Sequence, residues 1–245
     1  MHFAHIRHLF HIPGKKITIT AGIFFLSLSG LRAQDSFQQN LPFSDSRWLH
    51  YGFSIGLHSS GFKMKYSSDF VQPGMDSLHS IMPKNSFGFS LGFITDFRLH
   101  DQVNFRILPK VSFYEFAVDF NSVGGDVNTQ LIEATFIEMP LMIKYKTQRH
   151  KNFRMYVTGG LAPGIEVSGK KRKELTDNRL LTGDYNLAAE AGFGIDMYFP
   201  LFKFSPEFRF SRGLFNILRE DNNGYSKGIQ ELKTNVFTIY LQFSD

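Results

Sequence analysis

Beyond residue 48 the sequence alternates apolar with small or polar residues at period two, in eight stretches of about ten to sixteen residues. In the first, Leu49, Tyr51, Phe53, Ile55 and Leu57 interleave with His50, Gly52, Ser54, Gly56 and His58. A strand so composed has one apolar face and one small or polar face. The other stretches run over Ser86 to Arg98, Val103 to Ala117, Glu133 to Lys146, Arg154 to Val167, Tyr185 to Phe199, Phe202 to Arg212 and Asn235 to Phe243. They exceed the roughly five or six residues usual for strands of soluble proteins. They suit the roughly 9 to 11 tilted residues that cross a bilayer.

The connections alternate in length. Ser59 to Asn85, the stretch around Gly124-Gly125, Ser168 to Asp184 and Gly213 to Thr234 are long, whereas Leu99 to Gln102, Thr147 to Phe153 and Pro200-Leu201 are short. This order predicts an all-β fold: an eight-stranded antiparallel transmembrane β-barrel of the outer-membrane type, with short periplasmic turns and long outer loops. The even strand number returns both ends of the mature chain to the periplasm. A soluble β-sandwich also alternates, with its apolar face buried between two sheets. Strand length, the order of connections and the leader favour the barrel.

The leader has the anatomy of a secretory signal. Arg7, Lys15 and Lys16 precede an apolar run from Ile17 to Leu28, and Leu31-Arg32-Ala33 fits the small-residue rule for cleavage. The run is short for a spanning helix, so an uncleaved anchor is the lesser reading. The expected division is a signal peptide over 1–33, a polar periplasmic lead-in over 34–47 and the barrel over 48–245. Four of the 27 bases (Arg7, Lys15, Lys16, Arg32) and none of the 22 acids lie in the leader, so the remainder carries 23 bases against 22 acids. That near-neutral balance gives no case for nucleic-acid binding. Cysteine is absent, which excludes a disulfide framework, a thiolate metal site and an N-terminal lipid anchor on cysteine.

If the phenylalanine-rich face meets lipid, the opposite face carries charges of both signs. Arg106, Glu138, Lys144, Arg154, Glu190, Glu207 and Arg209 are expected to form a charge network in the lumen, together with Asp96, Arg98, Lys110, Glu166 and Asp196. Eight strands enclose a space that side chains just fill, so these charges should pair and plug it. Buried acids in such a barrel must pair whatever its function, and a catalytic role for Glu138, Glu190 or Glu207 is the minor alternative. His58-Ser59-Ser60 lies at the membrane edge where a lipid A-modifying enzyme would act, but a His-Ser neighbour pair arises readily by chance. The remaining histidines lack paired metal-ligand spacing. No cofactor, metal or small-molecule substrate is expected. The basic run Lys170-Lys171-Arg172-Lys173 in the third long loop is either a solvated tip or a contact for lipopolysaccharide phosphates or an acidic partner.

Two blocks carry a resemblance. Glu138-Met139-Pro140-Leu141-Met142-Ile143-Lys144-Tyr145-Lys146, followed by Asn152-Phe153-Arg154-Met155-Tyr156-Val157-Thr158-Gly159-Gly160, resembles a hairpin widespread in small outer-membrane barrels of Bacteroidota. The segment from Glu190 through Pro200-Leu201-Phe202 to Leu214 looks like the PorT family, a component of the type IX secretion system. Ser86 to Leu99, leading through Asn104-Phe105-Arg106 to Pro109, is similar to it as well. The resemblance spans roughly Trp48 to Phe243. It implies a non-enzymatic outer-membrane protein needed for export of surface and secreted proteins, and for gliding motility where that occurs. Its implied partners are outer-membrane lipid, lipopolysaccharide and other secretion components. A generic small barrel with a structural, adhesive or surface-protecting role is the alternative.

Overall fold

A computed structural model describes residues 39–67, 78–122, 127–168, 183–218 and 229–245. The leader expected over 1–33 and the basic run Lys170 to Lys173 lie outside these residues. Eleven strand segments form one antiparallel sheet: β1 (Leu49–Tyr66), β2 (Leu78–Lys84), β3 (Ser86–Arg98), β4 (Val103–Ile107), β5 (Lys110–Ser122), β6 (Val127–Glu138), β7 (Leu141–Lys146), β8 (Phe153–Glu166), β9 (Tyr185–Tyr198), β10 (Lys203–Gly213) and β11 (Ile229–Ser244).

The expected eight strands are thus replaced by a larger number of segments, and proline is the main cause. Pro109 separates β4 from β5 and Pro140 separates β6 from β7, because a proline has no N–H to give to the ladder. The register is the same on both sides of each proline. Ile107 pairs with Leu141 and Lys110 with Glu138, while Leu141 pairs with Leu161 and Glu138 with Gly164. The proline carbonyls stay in use: Pro109 accepts from the N–H of Phe93, Pro140 from Leu108 and Pro163 from Met139. Pro109 and Pro140 each interrupt one pass without ending it, whereas Pro163 lies within unbroken β8. At the third break, Asn85, the pairing with β5 slips by one residue, as in a bulge: Lys84 faces Ala117 whereas Phe89 faces Phe113. Joined across these three breaks, eleven segments trace eight passes.

The ring closes. β1 pairs with β3 on one side and with β11 on the other; β11 pairs with β10, β10 with β9 and β9 with β8. A closed ladder leaves no edge in the lipid band, where an unpaired backbone group would cost several kcal/mol. Phenylalanines stack across neighbouring strands on the outside, as in Phe89 on Phe113 at 4.7 Å and Phe53 on Phe243 at 5.0 Å. The outward apolar run covers eleven positions on β3, Phe87 to Phe97, which at about 3.3 Å per residue and a tilt near 45° is about 25 Å of bilayer.

Toward the long loops the strands continue past this band and exchange their faces. Here Lys63, Lys65, Glu133, Glu231 and Lys233 point outward. Inside, Phe62, Ile81, Phe116, Val118, Phe136, Leu232 and Val236 form a buried apolar core. Pairing of β1 with its neighbour stops at Ser60 opposite Ser86. Beyond that point β1 stays with β11 and β2 with β5, and the two layers pack on the core between them. The Tyr66 hydroxyl bridges them by donating to the Ile81 carbonyl. Apolar surface faces lipid where there is lipid, and faces inward where there is water.

Candidate functional site

Within the lipid band the inward positions hold the charges. β10 aims Glu207 and Arg209 into the interior, β9 Glu190 and Asp196, β8 Arg154, Tyr156 and Thr158, and β4 Arg106, because side chains two apart share one face of a strand. Small inward residues make the room. At Gly194 a Cβ atom would lie 2.5 Å from the Tyr156 ring, so glycine there lets the tyrosine lie flat against β9.

Glu207 is the hub, fully buried. Its Oε2 accepts from Arg106 Nη1 (3.0 Å), Tyr156 Oη (2.9 Å) and Gln242 Nε2 (2.9 Å), and its Oε1 accepts from Arg209 Nε (2.8 Å) and Thr158 Oγ1 (3.2 Å). Arg106 turns its other edge to Asp96 as a two-point fork, Nε to Oδ1 at 2.6 Å and Nη2 to Oδ2 at 2.8 Å. Arg209 reaches on to Glu190 (3.0 Å) and lies over the Tyr240 ring at 4.5 Å. Lys110 sits 3.7 Å from Glu190 and 3.1 Å from Glu138, and Glu138 also accepts from Ser112 and Tyr114. Asp96, Arg106, Glu207, Arg209, Glu190, Lys110 and Glu138 therefore form one chain of alternating sign. Lys144 holds Asp196 with 2.9 and 2.8 Å bonds beside it and stacks on Tyr156 at 3.7 Å.

Of the twelve expected lumen residues, nine lie in or beside this chain; Arg98 instead pairs with exposed Asp101, and Glu166, at the far end of β8, accepts from Ser168. Arg154 lies apart, at the end of the barrel that carries the short turns, bonded to Asp45 at 2.7 Å. Asp45 belongs to the lead-in, whose described residues 39–47 fold across that end. It also takes Arg149 at 3.5 Å, and Asn40 bonds the Tyr198 carbonyl and Asn152. Sequence periodicity could not find Asp45 or Arg149, since neither lies in a periodic segment. The C-terminus closes the same end: Asp245 pairs with Arg47 at 2.7 Å and accepts from the Tyr51 N–H at 3.1 Å. Partial burial raises the Asp245 carboxyl pKa, but the Tyr51 N–H, His50 and Arg47 outweigh it and hold the group below the usual carboxylate range.

The His58-Ser59-Ser60 run is not assembled as a reacting pair. His58 and Ser60 point inward while Ser59 lies on the other face. His58 Nε2 is 3.1 Å from the Phe113 carbonyl, and Ser60 Oγ donates to the Glu115 carbonyl at 2.7 Å. Among the described residues no group of three or more His, Asp or Glu is placed to hold a metal ion.

Residues 33–219 match the family described as "Outer membrane protein beta-barrel domain". Among solved structures the chain is similar to neisserial surface protein A, at 8% identity over 78% of this chain and 95% of that one, with a TM-score of 0.42. It is similar to the outer membrane protein OprG from Pseudomonas aeruginosa at 16% identity, over 80% and 93%, with a TM-score of 0.42. Ail of Yersinia pestis, in complex with the heparin analogue sucrose octasulfate, aligns at 13% identity over 81% and 100%, with a TM-score of 0.36. No curated protein matches the chain in sequence.

Proposed function

Since the chain belongs to the outer membrane protein β-barrel domain family, we propose that it is a non-enzymatic, sealed barrel serving as an accessory or assembly component of type IX protein secretion. The observation that carries the sealed, non-enzymatic part of the reading is the unbroken chain of paired charges from Asp96 to Glu138, which fills the interior at membrane depth. An interior packed with bonded side chains has no room for a polypeptide, folded or extended. Function then falls to the two ends. The turns and lead-in face the periplasm, and the long loops, with the two-layered projection beneath them, face outward.

The non-enzymatic reading is supported by the fate of each reactive group: the acids are bonded to bases, and His58 and Ser60 meet separate carbonyls. The secretion role rests on the likeness of the blocks Ser86 to Pro109 and Glu190 to Leu214 to the PorT family. Outer-membrane lipid, lipopolysaccharide and a larger translocon are the partners proposed with it. Deletion of the gene in its native bacterium, with supernatant and periplasm compared by mass spectrometry, tests the role. Retention inside of cargo bearing C-terminal export domains, reversed by the intact gene, is expected. Normal secretion would remove the role and leave a structural or adhesive surface barrel.

A further inference from the structure

At the end that carries the short turns, beneath the lead-in, lies a recess with about 220 Å3 of atom-free space, part of it open to solvent. Lys144, Lys146, Arg154 and Lys203 line it, with His50 at its wall, against only two carboxylates, Asp45 and Asp196. Both carboxylates are already engaged. Asp196 is held by Lys144 at 2.8 Å and by Ser205 at 2.6 Å, and Asp45 by Arg154 at 2.7 Å. Lys146 and Lys203 are each 5% exposed; neither ammonium has a hydrogen bond or an ion pair within 4 Å among the described residues, and both feel Asp196 only at longer range. Arg154 Nε is likewise buried without a hydrogen-bond partner.

Buried cations without partners are costly, and natural interiors pair them. Deeper in the barrel this chain obeys that rule throughout. The exception is confined to one concave place that water can enter, where donors predominate and Asn104 Oδ1 is the one unpaired acceptor among the described lining residues. We infer that the recess binds a phosphate-class oxyanion, held between Lys146 and Lys203, with Arg154 Nε as a further donor. Two ammonium groups match a dianion better than a single carboxylate charge, and charge-assisted hydrogen bonds are the strong kind. Phosphate reaches this end of the barrel either as a free solute or on a lipid headgroup. The inference does not depend on the secretion role.

The test uses the full chain refolded in a zwitterionic detergent and titrated with inorganic phosphate at constant ionic strength, read by calorimetry and by melting temperature. Saturable binding of one phosphate is expected, with a rise in melting temperature. Lys146→Met and Lys203→Met should each weaken binding at least about tenfold. Both variants should keep a melting temperature close to the parent's in phosphate-free buffer, because neither ammonium holds a hydrogen bond or a close ion pair among the described residues. Lys63→Met, on the outer face at the other end, should bind as the parent does. A second arm compares phosphatidylglycerol with phosphatidylcholine vesicles without free phosphate. Stabilisation there that is lost in Lys203→Met assigns the anion to a headgroup, and binding in detergent assigns it to the solute. No response in either arm, or an equal response in parent and both variants, overturns the inference.

Discussion

At the scale of single residues, Glu207 decides the interior. Five side chains donate to it, and two of them are guanidinium groups with no access to water. Removing one member of a buried ion network strands its partners, whereas replacing a whole network with apolar residues is often neutral. Glu207→Leu should therefore cost about 3–5 kcal/mol, read as urea unfolding of the chain folded in lipid vesicles. Glu207→Gln, which keeps acceptors for Arg106 and Tyr156, should cost less. Equal stability of all three would show that the network is a bystander. Period-two reading was enough to put Arg106, Glu138, Lys144, Glu190, Glu207 and Arg209 inside. It could not say which would meet, because long side chains cross the interior: Arg106 and Glu207 are 101 residues apart in sequence.

At the scale of elements, each strand has one geometry and two dressings. The inward face of β1 runs from His50 through Ser54 and His58 to Phe62, changing from polar to apolar as the outward face changes from Phe53 and Leu57 to Lys63 and Lys65. That exchange makes the long connections shorter than the apolar-out pattern predicts. The apolar-out pattern ends near Leu57, and a reading keyed to it puts a loop where β1 continues to Tyr66 and where β2 lies. β11 likewise starts at Ile229, ahead of the expected Asn235, and β5 and β6 reach in to Ser122 and Val127 around Gly124-Gly125. The signal was present in Phe62, Phe116 and Phe136, which keep the inward parity with an apolar side chain. The prolines explain the opposite error, in which a continuous pass is divided. The native chain lacks cysteine, so single thiols can map the boundary. In lipid nanodiscs, Lys63→Cys and Glu231→Cys should react with a membrane-impermeant maleimide, and Phe53→Cys and Ile239→Cys should react only after detergent is added. Labelling of all four alike in lipid would contradict the exchange of faces.

At the scale of the whole molecule, three layers follow one another along the axis. A mouth rich in bases is covered by residues 39–47, a chain of paired charges lies at membrane depth, and an apolar core lies at the strand ends that lead to the long connections. Each layer is what its surroundings demand: acids and bases pair where lipid surrounds the wall, and phenylalanine turns inward where water does. Closure of the wall and filling of the interior make this a plug-like barrel, and on the proposed function its work falls to its two ends. The most direct test is electrical. The purified full chain inserted into a planar bilayer should give no steady single-channel current over a range of voltages, with a refolded porin as the positive control. Reproducible unitary steps from the parent chain would contradict a sealed interior and, with it, the assignment of function to the two ends.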